Sequence, residues 1–359
     1  MKYFLFLADW CLNGRYGGSE GDSLNKYSVS QRSLEAKSSD NGKEDGEAST
    51  KVYGRRWLTL GLFCLYTMTN AYQWIHLSII FDVLKVYYNE SLPGDDQQKS
   101  LALDWLSMVF MLGYIPLILP ATWLLDRKGL RIIAILGTLL NCLGAWMKCA
   151  AVSPDRFMVL MAAQTVCSVA QVFILGMPAR VAAVWFGPSQ VSTATSLGVF
   201  GNQLGTAVGF VLPPYLVRID EDLSVTSRGL NYLFYSGAGY TTFLFILVLL
   251  FFWKEPIKPP SIAQHKIVQA AAEENYLASL LRLLKNWPFG LLVISYGLNV
   301  GVYYAVSTLL NPIILGFYDE ALHPDINTDC GWIGLTLVIA GLLGAVIAGV
   351  WLDKTKLFK

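Results

Sequence analysis

The chain has 359 residues, 54% of them apolar and only 15% charged, where ordinary soluble domains carry roughly 25% charge. Its 27 basic and 26 acidic residues are unevenly spread: residues 1–52 hold 15 of these charges, which leaves 38 for the other 307 residues, about 12%. So little charge excludes a water-soluble globular enzyme and a disordered chain, and a net charge of +1 removes any global case for nucleic-acid binding.

Residues 1–52 read as a disordered cytoplasmic tail, rich in Ser, Gly, Asp and Lys. The apolar run 3–7 is too short for a signal-peptide core, which needs about 7–15 apolar residues. Beyond the tail the apolar residues come in blocks, and about 20 such residues cross the roughly 30 Å hydrocarbon core of a bilayer as a helix. Eight blocks are expected to span: 57–80, 105–125, 132–147, 157–179, 191–217, 230–253, 287–318 and 330–352. The third is short unless Lys148 snorkels outward. The seventh is long, and Asn311-Pro312 is expected to kink it or end its regular part. Residues 254–286 form a polar connection, with a helical stretch at 270–284 expected to lie along the membrane surface. Cys64, Cys142 and Cys167 fall in spans and Cys11 in the tail, which leaves Cys149 and Cys330 as a candidate pair near one face.

Orientation follows from the Lys and Arg residues. From Lys51 onward, 15 fall on the side of the N-terminal tail and six on the other, so the N-terminus is expected in the cytoplasm. Asn89-Glu90-Ser91 then lies in the first outward loop, which makes Asn89 a candidate glycosylation site.

Two inward turns repeat. Leu124-Leu125-Asp126-Arg127-Lys128-Gly129-Leu130-Arg131 follows the second span, and Trp351-Leu352-Asp353-Lys354-Thr355-Lys356 follows the eighth. A duplicated six-span unit would place both turns after a second helix. An acid beside bases in such a turn can pair with a neighbouring helix as a latch that breaks when two halves rock, with Asp126, Arg127, Arg131 and Asp353 as its candidate members. The turn resembles the loop between the second and third helices of the major facilitator superfamily, with Pro120 where a glycine is usual. In the fifth span Gly201, Gly205 and Gly209 make two overlapping G-x-x-x-G steps, which permit close approach of another helix.

Every acid after residue 52 reads as lying in a loop or at a helix end, and His76 is the one intramembrane group that titrates near neutral pH. A packing histidine is the favoured reading, and with it facilitated transport rather than proton coupling. The spans instead offer aromatics and amides. Asn70, Trp74 and Ser78 recur every four residues on one face. Tyr304, Ser307 and Thr308 share the seventh span with Asn299 and Tyr303; Gln171 lies in the fourth span and Asn202-Gln203 in the fifth. Rings and amides of this kind suit a quaternary ammonium, attracted to an aromatic face by about 0.5–2 kcal/mol. No metal site and no cofactor are expected.

Several of these segments are specific. Asn70-Ala71-Tyr72-Gln73-Trp74-Ile75, Asp104-Trp105-Leu106-Ser107-Met108-Val109, Cys167-Ser168-Val169-Ala170-Gln171-Val172-Phe173-Ile174-Leu175-Gly176, Gly201-Asn202-Gln203-Leu204-Gly205 and Val306-Ser307-Thr308-Leu309-Leu310-Asn311 resemble the feline leukaemia virus subgroup C receptor family of major facilitator transporters. The resemblance runs from about residue 56 to 356; His76 and Pro312 depart from the residues usual there.

It implies an all-α membrane protein of the major facilitator type, with a six-helix N-terminal bundle over 53–253 and an interdomain loop over 254–286. Residues 287–359 would supply the first two helices of the C-terminal bundle, the family's twelve-span plan being cut after the eighth. It implies uptake of choline or ethanolamine at the plasma membrane, with Trp74 and Tyr304 as a cation cage and Gln171 lining the cavity; Asn70, from the polar face of the first span, is the fourth candidate substrate-binding residue. Haem export is the alternative substrate reading, and a non-transporting receptor or inactive fragment the alternative class. The partners implied are a small-molecule substrate and the lipid bilayer.

Overall fold

The computed structural model describes residues 52–187, 190–218, 222–260, 285–318 and 325–355. Among them run eleven α-helices and one 3-10 turn, with no strand. The first span is α1 (Arg55–Ile75), the 3-10 turn (Ser78–Ile80) and α2 (Phe81–Tyr87). The second is α3 (Asp96–Lys128) and the third α4 (Leu130–Ala150). The fourth is α5 (Phe157–Leu175) continued by α6 (Pro178–Trp185). The fifth is α7 (Val191–Leu216) and the sixth α8 (Leu223–Phe251). The seventh is α9 (Trp287–Thr308) with α10 (Leu310–Leu315), and the eighth α11 (Ile326–Thr355). Most of the tail and of the loop after α8, including the expected surface helix at 270–284, lie outside the described residues.

Among the described residues, six stretches are long and apolar enough to cross a membrane: Asp96–Lys128, Leu130–Ala150, Phe157–Trp185, Leu223–Phe251, Trp287–Thr308 and Ile326–Gly344. α1 and α7 are long enough but fall short in apolarity. They turn Thr67, Thr69, Asn70 and Gln73, and a glycine stripe, toward the interior rather than toward lipid. The two pack against each other, and the stripe is what lets them. A Cβ at Gly201 would stand 2.7 Å from the Cys64 carbonyl oxygen, and one at Gly205 would run into the Met68 carbonyl. The close approach expected of the G-x-x-x-G steps is therefore made to α1.

Helix ends follow local chemistry. Asp95 caps α3 by accepting from the Gln98 N–H at 2.9 Å, and Asp222 caps α8 by accepting from the Ser224 N–H at 2.9 Å. Pro116 and Pro120 sit inside α3, which at 33 residues is about 50 Å long. The turn into α4 passes through Gly129 at φ +79°, where a side chain would be strained and would also meet Lys254.

Two apolar cores result. One, toward the Arg55 end, gathers Phe63, Tyr66, Ile133, Ile174, Trp185 and Phe252. The other, toward the far end, gathers Trp74, Ile79, Tyr88, Phe110, Phe157 and Phe210, and carries the eighth span into contact with the first six.

Three sequence expectations need correcting. Lys148 does not snorkel outward: it is 2% exposed, buried inside the bundle. Side chains on a helix lean toward its N-terminus, so a lysine two residues before the end of α4 drops back among the helices. Ser78 does not share a helical face with Asn70 and Trp74, because α1 ends at Ile75 and a 3-10 turn begins at Ser78. Cys149 and Cys330 are both free thiols. The break expected near Asn311-Pro312 falls at Leu309, where α9 gives way to α10.

Candidate functional site

The inner face of α1 is held by a buried polar network. Asn70 donates through Nδ2 to Asn141 Oδ1 at 3.0 Å and to the Cys167 carbonyl at 3.2 Å. Asn141 in turn donates to Thr69 Oγ1 at 3.1 Å. Gln73 donates to the Asn141 carbonyl at 3.2 Å, while its Oε1 accepts from Lys148 Nζ at 2.8 Å and from the Cys167 thiol at 3.3 Å. Three helices, α1, α4 and α5, are thereby locked in rotation, since polar groups out of water are costly unless paired. Asn70, expected at the substrate, spends its Nδ2 on this network, while its buried Oδ1 has no partner among the described residues.

Trp74 follows Gln73 and so projects about 100° away from it around the helix. Its ring meets Tyr304 of α9 edge to face, with centroids 4.9 Å apart and planes at 87°. Trp74 is buried, and its indole N–H has no hydrogen-bond partner among the described residues. Both rings lie beside breaks: α1 stops one residue after Trp74, and α9 stops four residues after Tyr304. Thr308 Oγ1 donates to the Tyr304 carbonyl, tightening that last turn. Tyr303 donates to Gln203 Oε1 of α7 at 3.2 Å. Asn299 is exposed and bonds back to Ser295 of its own helix at 2.8 Å.

His76 is buried, stacked on Tyr72 with centroids 5.0 Å apart. Its Nδ1 lies 3.1 Å from both the Tyr72 and Gln73 carbonyls. Both are acceptors, so Nδ1 carries the proton, as suits the packing role expected of it.

Gln171 is buried with its Oε1 unpartnered among the described residues, but α5 runs against α1 and depth can be compared. The Cys167 carbonyl meets Asn70, and one turn of α1 beyond Asn70 is Trp74. The matching step on α5 leads to Gln164, not to Gln171, which lies a turn toward the Arg55 end. Gln164 is 0% exposed, and neither its Oε1 nor its Nε2 has a partner among the described residues. The sequence reading passed over it; its signal was an amide on the face of α5 that also carries Cys167 and Gln171.

Asp82 stands at a helix end as read, in the first turn of α2, but it does not face solvent. It is buried on α2, accepts from Asn327 of α11 at 2.6 Å and lies 3.4 Å from Asn311 Nδ2. Asn311 also donates to the Ile79 carbonyl at 2.9 Å and to Asn327 Oδ1 at 2.6 Å. This cluster ties the first span to the seventh and eighth, beyond Trp74 as seen from Arg55. An acid two residues past an apolar block looked solvated because the packing of α10 and α11 over it is not local in sequence.

At the Arg55 end, the Arg127 guanidinium lies 4.8 Å over the Trp123 ring. Arg131 donates to the Leu249 carbonyl near the end of α8 at 3.2 Å. Asp126 is half-buried. The side chain of Asp353 lies outside the described residues. Asn89 is exposed and accepts from Lys99 Nζ at 2.6 Å.

A family description, Major Facilitator Superfamily, matches residues 50–359. The chain belongs to the major facilitator superfamily. Within it, this member is 51% identical over 313 residues to the choline/ethanolamine transporter flvcr2a of Danio rerio, covering 87% of this chain and 64% of that one. It is 48% identical over 310 residues to the choline/ethanolamine transporter FLVCR2 of Homo sapiens, 86% of this chain and 56% of the relative. Against the choline/ethanolamine transporter FLVCR1 of Felis catus the figures are 47% over 312 residues, 86% and 53%. The family resemblance read from the residues is thus met by curated relatives of the same name. The chain spans between about half and two thirds of their length. A superfamily member with six helices of spanning length and apolarity is a multi-pass membrane protein.

Proposed function

We propose that this chain forms the substrate-facing part of a facilitative carrier for choline and ethanolamine, with Trp74 and Tyr304 as the cation-binding rings. The observation that carries the reading is their meeting at 4.9 Å across the first and seventh spans, each beside a break in its helix. Discontinuous helices commonly form the substrate sites of secondary transporters. An ammonium group gains from ring faces without needing a fixed counter-charge. Edge-to-face contact leaves no gap between the rings, so a trimethylammonium group enters by parting them. The unpartnered Trp74 N–H, the Asn70 Oδ1, the Gln164 amide and the Gln171 Oε1 are polar groups available to a hydroxyl.

The names of the curated relatives support the same substrate class. Haem fits less well. Its propionates call for free cations, and the buried Lys148 is committed to Gln73.

The proposal extends to the whole molecule. Residues 53–253 form one six-span half, with residues 287–359 beginning the other after the loop over 254–286. The N-terminus is cytoplasmic and the resident membrane the plasma membrane; Asn89 faces outward as a glycan acceptor. The Asp126, Arg127, Arg131 and Asp353 turns serve as the cytoplasmic latch between the halves.

The test is labelled choline uptake by the full-length product of the locus, normalised to surface copy number. Losing one ring removes about 1–2 kcal/mol, so Trp74→Ala and Tyr304→Ala should each raise the half-saturation concentration roughly five- to thirtyfold. Unchanged half-saturation in both variants would discard the cage.

A further inference from the structure

An ionisable side chain buried within a membrane protein is costly and marks a functional role by default. Lys148 is such a group, 2% exposed, and among the described residues no carboxylate lies within ion-pair distance of it. Its contacts are Gln73 Oε1 at 2.8 Å and the Gln73 carbonyl at 3.5 Å. That carbonyl belongs to the last turn of α1, which ends at Ile75. A helix end leaves its final carbonyls without intrahelical donors and carries partial negative charge, which a cation offsets. This end of α1 is buried away from the bulk, so the break in the first span is best served by built-in donors. His76 supplies one, with Nδ1 at 3.1 Å from the Tyr72 and Gln73 carbonyls, and Lys148 supplies the other from the facing helix.

We infer that Lys148 is a positioning residue for the cation-binding ring: by capping the broken end of α1 through Gln73, it fixes the direction in which Trp74 points. The chain of contact is short. Lys148 holds Gln73 toward α4, and Trp74, the next residue, is then held about 100° around toward Tyr304. Loss of the ammonium frees the last turn of α1 to rotate or fray, and the ring contact loosens with it. Lys148 touches no substrate in this arrangement; it acts through Gln73. The inference rests on the reading of Trp74 and Tyr304 as the substrate rings.

The experiment is choline uptake by the full-length locus product carrying Lys148→Met, Gln73→Leu or both, with Trp74→Ala alongside. Half-saturation and maximal rate per surface copy are measured separately. Lys148→Met is expected to raise half-saturation five- to tenfold with the maximal rate within about threefold. Gln73→Leu should do the same, and the double variant should be no worse than either single one, as for two residues acting as a unit.

If Lys148→Met does not reach the membrane, Lys148→Gln, which keeps an amide donor without charge, reads the same parameter. A Lys148 variant that lowers only the amount of protein, with half-saturation unchanged, overturns the positioning role, as does simple multiplication of the two single effects. If Trp74→Ala also leaves half-saturation unchanged, the cage itself fails instead.

Discussion

Gln164 and Gln171 carry the same amide two turns apart on α5, and their neighbours separate them. The Cys167 carbonyl is bonded to Asn70, so Gln164 stands on the Trp74 side of that contact and Gln171 on the other. A buried amide with both ends unpaired is expensive unless a ligand or water completes it. Gln164→Leu should therefore raise half-saturation for choline about fivefold or more, yet leave binding of tetramethylammonium, which has no hydroxyl, within about twofold. Gln171→Leu should change either by less than Gln164→Leu does. Competition of labelled choline by the two compounds checks this.

At this scale Trp74 and Tyr304 stood out as aromatics within spans, and it was the family resemblance that paired them; the structure brings the two rings into contact. Asn70 was legible as polar but not as a network member, because its partners Asn141 and Cys167 are 71 and 97 residues away. Lys148 was misread because snorkelling was judged from distance to the helix end, whereas the lean of a helical side chain decides which way it goes.

At the scale of elements, helix positions follow the apolar blocks closely, and the two long helices that fall short of spanning apolarity, α1 and α7, are the pair that pack on each other through glycine. Hydropathy records exposure to lipid, so a helix turned inward is weakest in the signal that finds it. The breaks at His76-Leu77 and Leu309 are less legible: Pro312 signalled the second, but no proline or glycine marks the first, which is held by His76 and Lys148 instead. The glycine stripe makes a sharp prediction. Gly205→Val would drive its side chain into the Met68 backbone and should lower the thermal midpoint by several degrees or keep the protein from the membrane. Gly239→Ala on α8, where a Cβ meets nothing within 4 Å, should leave the midpoint within about one degree. Fluorescence-detected melting in detergent distinguishes them.

Across the whole molecule, the first span contacts the seventh and eighth at two levels. Trp74 and Tyr304 meet through rings, and Asp82 meets Asn311 and Asn327 through buried hydrogen bonds farther from Arg55. Apolar blocks marked out the spans, but the Asp82 tie joins residues 229 and 245 positions apart and no local pattern announces it. The ring pair lies on the Arg55 side of that tie, and on the proposed reading it is the level at which the cation is held between the first and seventh spans. The most direct test is a structure of the full-length product with choline bound. The trimethylammonium group is predicted against the faces of Trp74 and Tyr304, the two rings moved apart from their present contact. Choline seated beside the Asp82 carboxylate, with the rings still touching, would contradict the account.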